Sequence, residues 1–249
     1  MLFQSPPPMF GLFHILWLAI ILVFNVLIYF IFRNESEEKL IKAIHFFGIL
    51  MVIGEVWKQW FCYTHIFQGE VNLWFFPWQL CSMAMYLSFF LPFTKGKFRD
   101  AALVFLSTFS IFAAIVAVLI PSDMLRPQLI FASHGFIYHG IMIAESILSI
   151  LIIKARIKRR EEIKFLPSVF LFLGMASIAQ VINIVGYSIL KDIHIAPNMF
   201  YITPYYETTQ VGLNYIAKAL GIFPEIAIYL SGICLFSYLI FRLIKRSSH

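Results

Sequence analysis

"QLIFASHGFIYHGIMIAESILSILIIKARIKRREEIK", residues 128–164, joins a long apolar run to a dense basic cluster. Residues 128–153 are long enough to cross a bilayer as one helix, because about 20 apolar residues cover the roughly 30 Å hydrocarbon layer. The run stops at six Lys and Arg between positions 154 and 164, the pattern of a span that ends on the cytoplasmic side. Working outward, apolar stretches recur at about 9–32, 43–66, 74–93, 98–120, 165–190 and 222–241. The expectation is an all-α membrane protein, a single bundle of seven transmembrane helices with no soluble domain between them.

Composition agrees. Of 249 residues, 61% are hydrophobic, 18% aromatic and only 13% charged, and the mean hydropathy is +0.84. Soluble domains run nearer about 45–50% apolar and about 25% charged, so a water-soluble enzyme is excluded. The net charge of +6 sits in short gaps between apolar runs, which points to membrane flanks and not to nucleic acid. Fifteen of the nineteen Lys and Arg fall in 33–42, 94–99, 154–164 and 242–249, all on one side of a seven-span chain. Arg126, Lys191 and Lys218 lie on the other side, and Lys58 lies within the second span. The positive-inside rule then predicts a cytoplasmic C-terminus and an outside N-terminus. The opening MLFQSPPPMF lacks the features of a signal peptide, so the first run is expected to stay as a helix. Localisation in a cell membrane as a multi-pass protein follows.

The third span is the weakest. Pro77 fits the first helical position, where no amide bond is lost, and Trp74, Phe75, Phe76 and Trp78 read as an interfacial aromatic belt. Residues 191–221, rich in Tyr, Pro and Asn, are too polar to span and are expected to form an outer cap with a short interfacial helix at about 208–220.

Ionisable groups inside the membrane are costly and are functional candidates. At about 1.5 Å per residue, Cys81, His134, Lys58 and Asn183 all fall roughly 10–12 Å below the outer surface, with His14 near the outer end of the first span. Glu55, Lys58, Gln59 and Cys62 share one face of the second span, and Gln180, Asn183 and Tyr187 share a face of the sixth. His134 and Tyr138 are one turn apart, whereas His139 points away from His134. Gln79 and Cys81 are about 200° apart on a helix, so a helix begun by Gln79 cannot aim both into one pocket. Glu145 lies deeper and has no specific role.

A Cys and a His at one depth can be a nucleophile and its base. A lone apolar-flanked Cys is more often a small core residue, a lone His a helix-to-helix hydrogen-bond partner, and Glu55 with Lys58 a structural pair. Cys62 and Cys81 flank one outer loop, which leaves a disulfide open, and Cys234 reads as core. The three cysteines make neither a metal-ligand spacing nor a disulfide scaffold.

The segments "PWQLCSMAMYLSFFLPF", "ASHGFIYHG" and "NMFYITP", ahead of a last span opening "GIFPEIAIY", resemble the YwaF-type bacterial integral membrane family. Their order and spacing cover most of the chain, and Gln79 stands where many members have His. That family is similar, more distantly, to eukaryotic transmembrane acyltransferases of ether-phospholipid remodelling, which use a Cys and a His. The androgen-induced membrane hydrolases of fatty-acid esters, which use Thr and His, are a further likeness in fold. The resemblance implies Cys81 as nucleophile, His134 as base, and a place for Asn198 and Pro204 in an Asn-containing outer motif. The resulting expectation is a lipid acyltransferase, transacylase or acyl-ester hydrolase working in the outer half of the bilayer on a phospholipid. Glu55 would hold Lys58, and Lys58, Gln180 and Asn183 would bind headgroup or oxyanion, with Gln59, Tyr138 and Asn198 nearby. No metal or dissociable cofactor is implied, and no nucleic acid. The alternative is a non-enzymatic transporter or ligand-binding receptor that uses the same Glu, Lys, His and Asn layer.

Overall fold

The computed structural model describes residues 5–191, 195–208, 210 and 212–248. Among them there is no strand; the elements are α1 (Leu12–Phe32), α2 (Glu37–Phe61), α3 (Leu80–Phe90), α4 (Gly96–Phe105), α5 (Ile111–Leu119), α6 (Leu129–Lys158), α7 (Leu166–Leu190), α8 (Leu213–Leu220) and α9 (Ile222–Arg246). A π turn at Leu106–Ser110 fuses α4 and α5 into one rod, and a second at Cys62–Ile66 extends α2. The first has a local cause. Ser107 and Thr108 both donate their hydroxyls to the Val104 carbonyl, at 3.0 and 2.6 Å, and side-chain competition of this kind bends or widens a helix.

Six helical segments are long and apolar enough to cross a membrane: Leu12–Phe32, Glu37–Ile66, Gly96–Leu119, Leu129–Lys158, Leu166–Leu190 and Ile222–Arg246. The protein is thus a multi-pass helical membrane protein. The expected third span is shorter, Leu80–Phe93, and at about 1.5 Å per residue it reaches only about 21 Å. Its helix starts at Leu80 and not at Pro77, because the residues before it are committed elsewhere. The Pro77 carbonyl accepts from Tyr86 Oη at 2.9 Å, and Gln79 is extended at φ −80°, ψ 162°. Within the expected cap, α8 occupies the second half of the stretch foreseen as an interfacial helix.

The core lies among α2, α3, the α4–α5 rod, α6 and α7. Phe105, Phe109 and Phe172 stack in series with centroids 5.0 Å apart. Gly48 allows α2 to meet α3, since a Cβ there would lie 2.6 Å from the Phe89 amide nitrogen. Outward-facing Leu22, Phe30, Val56, Phe170 and Leu243 are exposed, as lipid-facing side chains of a bundle are.

The two ends differ. At the basic end Arg156 of α6 donates to Glu37 at the start of α2 and to Asp100 near the start of α4, and Arg159 reaches the other Glu37 oxygen at 2.9 Å. At the opposite end, the cap end, residues 195–203 close over the bundle. Asn183 of α7 donates from Nδ2 to the Met199 carbonyl at 3.1 Å and accepts the Met199 N–H on Oδ1 at 2.6 Å. Gln79 donates from Nε2 to the Asn198 carbonyl at 2.9 Å and accepts the Phe200 N–H on Oε1 at 2.8 Å. Held this way, Phe200 and Tyr201 both take left-handed backbone angles, φ 56° and 57°, which only external clamps sustain in non-glycine residues.

Candidate functional site

A cavity of about 350 Å³ opens at the cap end, between α2, α3, α5, α6 and α9. Its size lies at the lower end of small-ligand sites, roughly 300–1,000 Å³. Cys81, His134, Glu55, Lys58 and Tyr138 all line it. Gln59, Gln180, Asn183 and Asn198 do not. Asn183 and Asn198 instead build the cap: Asn198 Oδ1 accepts the Thr203 N–H at 3.1 Å. Gln59 Nε2 donates to Glu55 Oε1 and to the Phe75 carbonyl, each at 2.6 Å. Gln180 makes no cavity contact, and its Oε1 has no partner among the described residues.

Cys81 is the second residue of α3. The late start of that helix moves the thiol from the expected second turn into the first, where helix N–H groups have no intrahelical partner. The same shift corrects the reading of Gln79. It precedes the helix, so the 200° argument does not apply, and it lines the cavity beside Cys81. All three cysteines are free.

His134 projects from α6 towards α2, where its Nε2 lies 3.0 Å from the Gly54 carbonyl. A carbonyl only accepts, so Nε2 carries the proton and the lone pair of the neutral ring is on Nδ1. Gly54 makes the approach possible: a Cβ at that position would sit 3.2 Å from Nε2. The Trp57 ring, 5.3 Å from the imidazole centroid, braces it. Among the described residues no hydrogen bond links Cys81 to His134; they face the same cavity. Catalytic hydrogen bonds are often long in substrate-free sites and tighten on binding.

Lys58 Nζ lies 2.8 Å from Glu55 Oε1, so the two charges compensate each other on the wall. Tyr138, one turn after His134, has a buried hydroxyl with no partner among the described residues. His139, assigned elsewhere by angle, also lines the cavity; its Nδ1 donates to the Gly135 carbonyl at 2.7 Å. At the mouth, Tyr201 donates to Asp123 at 2.6 Å, and Arg126 Nε donates to the Asp123 carbonyl at 3.0 Å. Burial first, then the Asp123 carboxylate, hold the Tyr201 phenol well above its ordinary range, so it stays the donor. No sequence periodicity announces this mouth, because it joins a loop and a cap distant in the chain. His14, foreseen in the polar layer, is structural: it accepts the Phe10 N–H at 2.9 Å and meets the Val118 carbonyl at 2.7 Å.

Fold and cavity together define a polytopic membrane protein with a chamber at one end of its bundle, lined by apolar side chains and a few polar ones. A family model covering residues 9–242 matches, that of the TMEM164 family, and the chain belongs to that family. The match supports a multi-helix membrane family and does not bear on the YwaF-type likeness. No curated protein matches the chain, and no solved structure matches it.

Proposed function

We propose that the protein is an intramembrane acyltransferase or acyl-ester hydrolase that takes an acyl chain from a phospholipid onto Cys81. The observation that carries this reading is the place of Cys81 in the first turn of α3, in one cavity with a His134 whose free lone pair is on Nδ1. His134 takes the thiol proton, and the thiolate forms a C–S bond with the ester carbonyl carbon. Collapse of the adduct breaks the ester C–O bond, and the leaving lysolipid oxygen recovers the proton from His134. An acceptor hydroxyl or water then gives its proton to His134, attacks the thioester, and releases the Cys81 thiolate.

The apolar wall supports a lipid chain as substrate: Phe112, Ala113, Val116 and Ala117 of α5 line the cavity. With the basic end cytoplasmic, by the positive-inside rule, the cavity meets the outer leaflet, which suits a lipid donor better than a cytoplasmic thioester.

The test is turnover of a labelled phospholipid by the purified protein, read as lysolipid or acyl-exchange product. Cys81→Ser and His134→Ala should each lose at least roughly 100-fold, as removal of a general base or nucleophile does. Wild-type turnover in both variants would refute the mechanism, and no turnover by the wild-type protein would favour the transporter or receptor reading.

A further inference from the structure

We propose that Arg126, at the cavity mouth, binds the phosphate of a glycerophospholipid and so selects phospholipid over uncharged glycerides. This assignment rests on the proposed function for the lipid that enters the cavity, and not for the chemistry at Cys81. A phosphodiester keeps its negative charge at physiological pH, and a guanidinium meets it with two parallel N–H donors.

Lys58 and Arg126 both line the cavity, and they differ in what faces them. Lys58 is neutralised by Glu55, with Nζ 2.8 Å from Oε1. Arg126 has no carboxylate within ion-pair distance among the described residues, and its side-chain hydrogen bond there runs from Nε to the Asp123 carbonyl at 3.0 Å. The Asp123 carboxylate, three residues earlier, is taken instead by the Tyr201 hydroxyl at 2.6 Å. The N–H groups on Nη1 and Nη2 therefore have no protein acceptor among the described residues, and they form the edge that grips a phosphate.

The guanidinium is also braced. Its Cζ lies 5.9 Å from the centre of the Phe75 ring, within reach of a cation–π contact. Phe75 is packed in turn on Phe131, with ring centroids 5.9 Å apart, and both rings line the cavity. The level of Arg126 suits a headgroup. From Leu129, three residues after it, to Arg156 at the basic end, α6 runs about 40 Å, close to the roughly 40–45 Å of a bilayer with its headgroups. Deeper along α5 the wall is apolar, with Phe112, Ala113, Val116 and Ala117. A phosphate held at Arg126 thus leaves the acyl chain to enter along α5.

The experiment gives the full-length protein, in mixed micelles, two labelled donors with the same acyl chains: phosphatidylmethanol, whose headgroup charge is the phosphate alone, and diacylglycerol. For Arg126→Met, KM for phosphatidylmethanol should rise about 10- to 30-fold with kcat unchanged, the loss expected for a charge-assisted pair. Turnover of diacylglycerol should stay within about twofold, and Arg126→Lys should recover part of the phospholipid preference. An unchanged KM overturns the assignment. So does an equal fall with both donors, since Arg126 would then only shape the mouth. A photo-crosslinkable phosphatidylmethanol reads binding without turnover: its yield should fall in Arg126→Met and hold in Cys81→Ser. Equal yield in Arg126→Met overturns the assignment whatever the turnover. Arg126-dependent crosslinking in a protein that turns over no lipid upholds the phosphate site and removes the acyl-transfer reading alone. Displacement of the probe by inorganic phosphate at equal concentration would assign Arg126 to free phosphate and overturn the headgroup.

Discussion

Replacing Asn183 by Ala separates a structural clamp from a ligand contact. Asn183 and its partner Met199 are both fully buried, and the side chain satisfies the N–H and the carbonyl of Met199 at 2.6 and 3.1 Å. Ala strands both groups, and each buried group left unpaired costs about 1–3 kcal/mol. Gln79 still holds Asn198 and Phe200 on either side, so partial relaxation brings the total to about 2–4 kcal/mol, charged mainly to local opening. At 1.4 kcal/mol per factor of ten, amides in 196–203 should exchange with deuterium roughly 30- to 700-fold faster. The assay is hydrogen exchange read by mass spectrometry in lipid-containing micelles, with peptides from α6 as internal reference. Gln79→Leu should open the same segment, and the double variant should open it less than the two effects combined, because both hold one short stretch. Unchanged exchange at 196–203 together with a raised KM would refute the clamp and return Asn183 to the binding role its depth suggests.

Four further outcomes are expected. Gly54→Ala places a Cβ 3.2 Å from His134 Nε2; turnover should fall about 3- to 10-fold with little loss of stability, since displacements of a few tenths of an ångström are felt in a positioned base. Gly174→Ala, where a Cβ meets nothing within 4 Å, should leave turnover unchanged in the same assay. Gly186→Ala would put a Cβ 2.3 Å from Pro197 Cγ, and thermal denaturation should show a loss of about 1–3 kcal/mol, the range for overpacking. Glu55→Gln leaves Lys58 facing the cavity without its counter-charge, and Glu55 is 7% and Lys58 18% exposed as side chains. Stability should drop by about 3 kcal/mol, and Lys58→Met added to it should restore most of the loss.

The long helices were readable because a bilayer imposes a length on any apolar run, and α1, α6, α7 and α9 run close to the expected stretches. The third was misread at its start for a tertiary reason. Pro77 favours a helical first position locally, yet Gln79 is held extended by two bonds to a segment some 120 residues away. Local propensity carries no trace of that partner. The site shows the same division. Depth along a helix follows from counting, and Cys81 and His134, counted to one level, line one cavity. What a shared face meets does not follow. Asn183 and Tyr187 do turn one way, but towards the cap, where Asn183 holds Met199 and Tyr187 stacks on Tyr205 at 4.0 Å. His139 was set aside by its angle from His134, although a cavity wide enough for a ligand touches more than one line of side chains. Tyr138 lies beside His134 by spacing, and the two line one cavity.

Arg156 ties the bundle together at its basic end. By holding Glu37 and Asp100 together it knots three helices at one end, like the joint of a pair of tongs, while the cavity lies between the tips. From Arg156 to Leu129 the shaft of α6 is about 40 Å, so a tilt of about 5° at the joint swings the tip by roughly 3.5 Å. That travel is close to the thickness of an aliphatic chain. A substitution at the joint, at the far end of the bundle, therefore acts as a change of leverage on the spacing of the cavity walls.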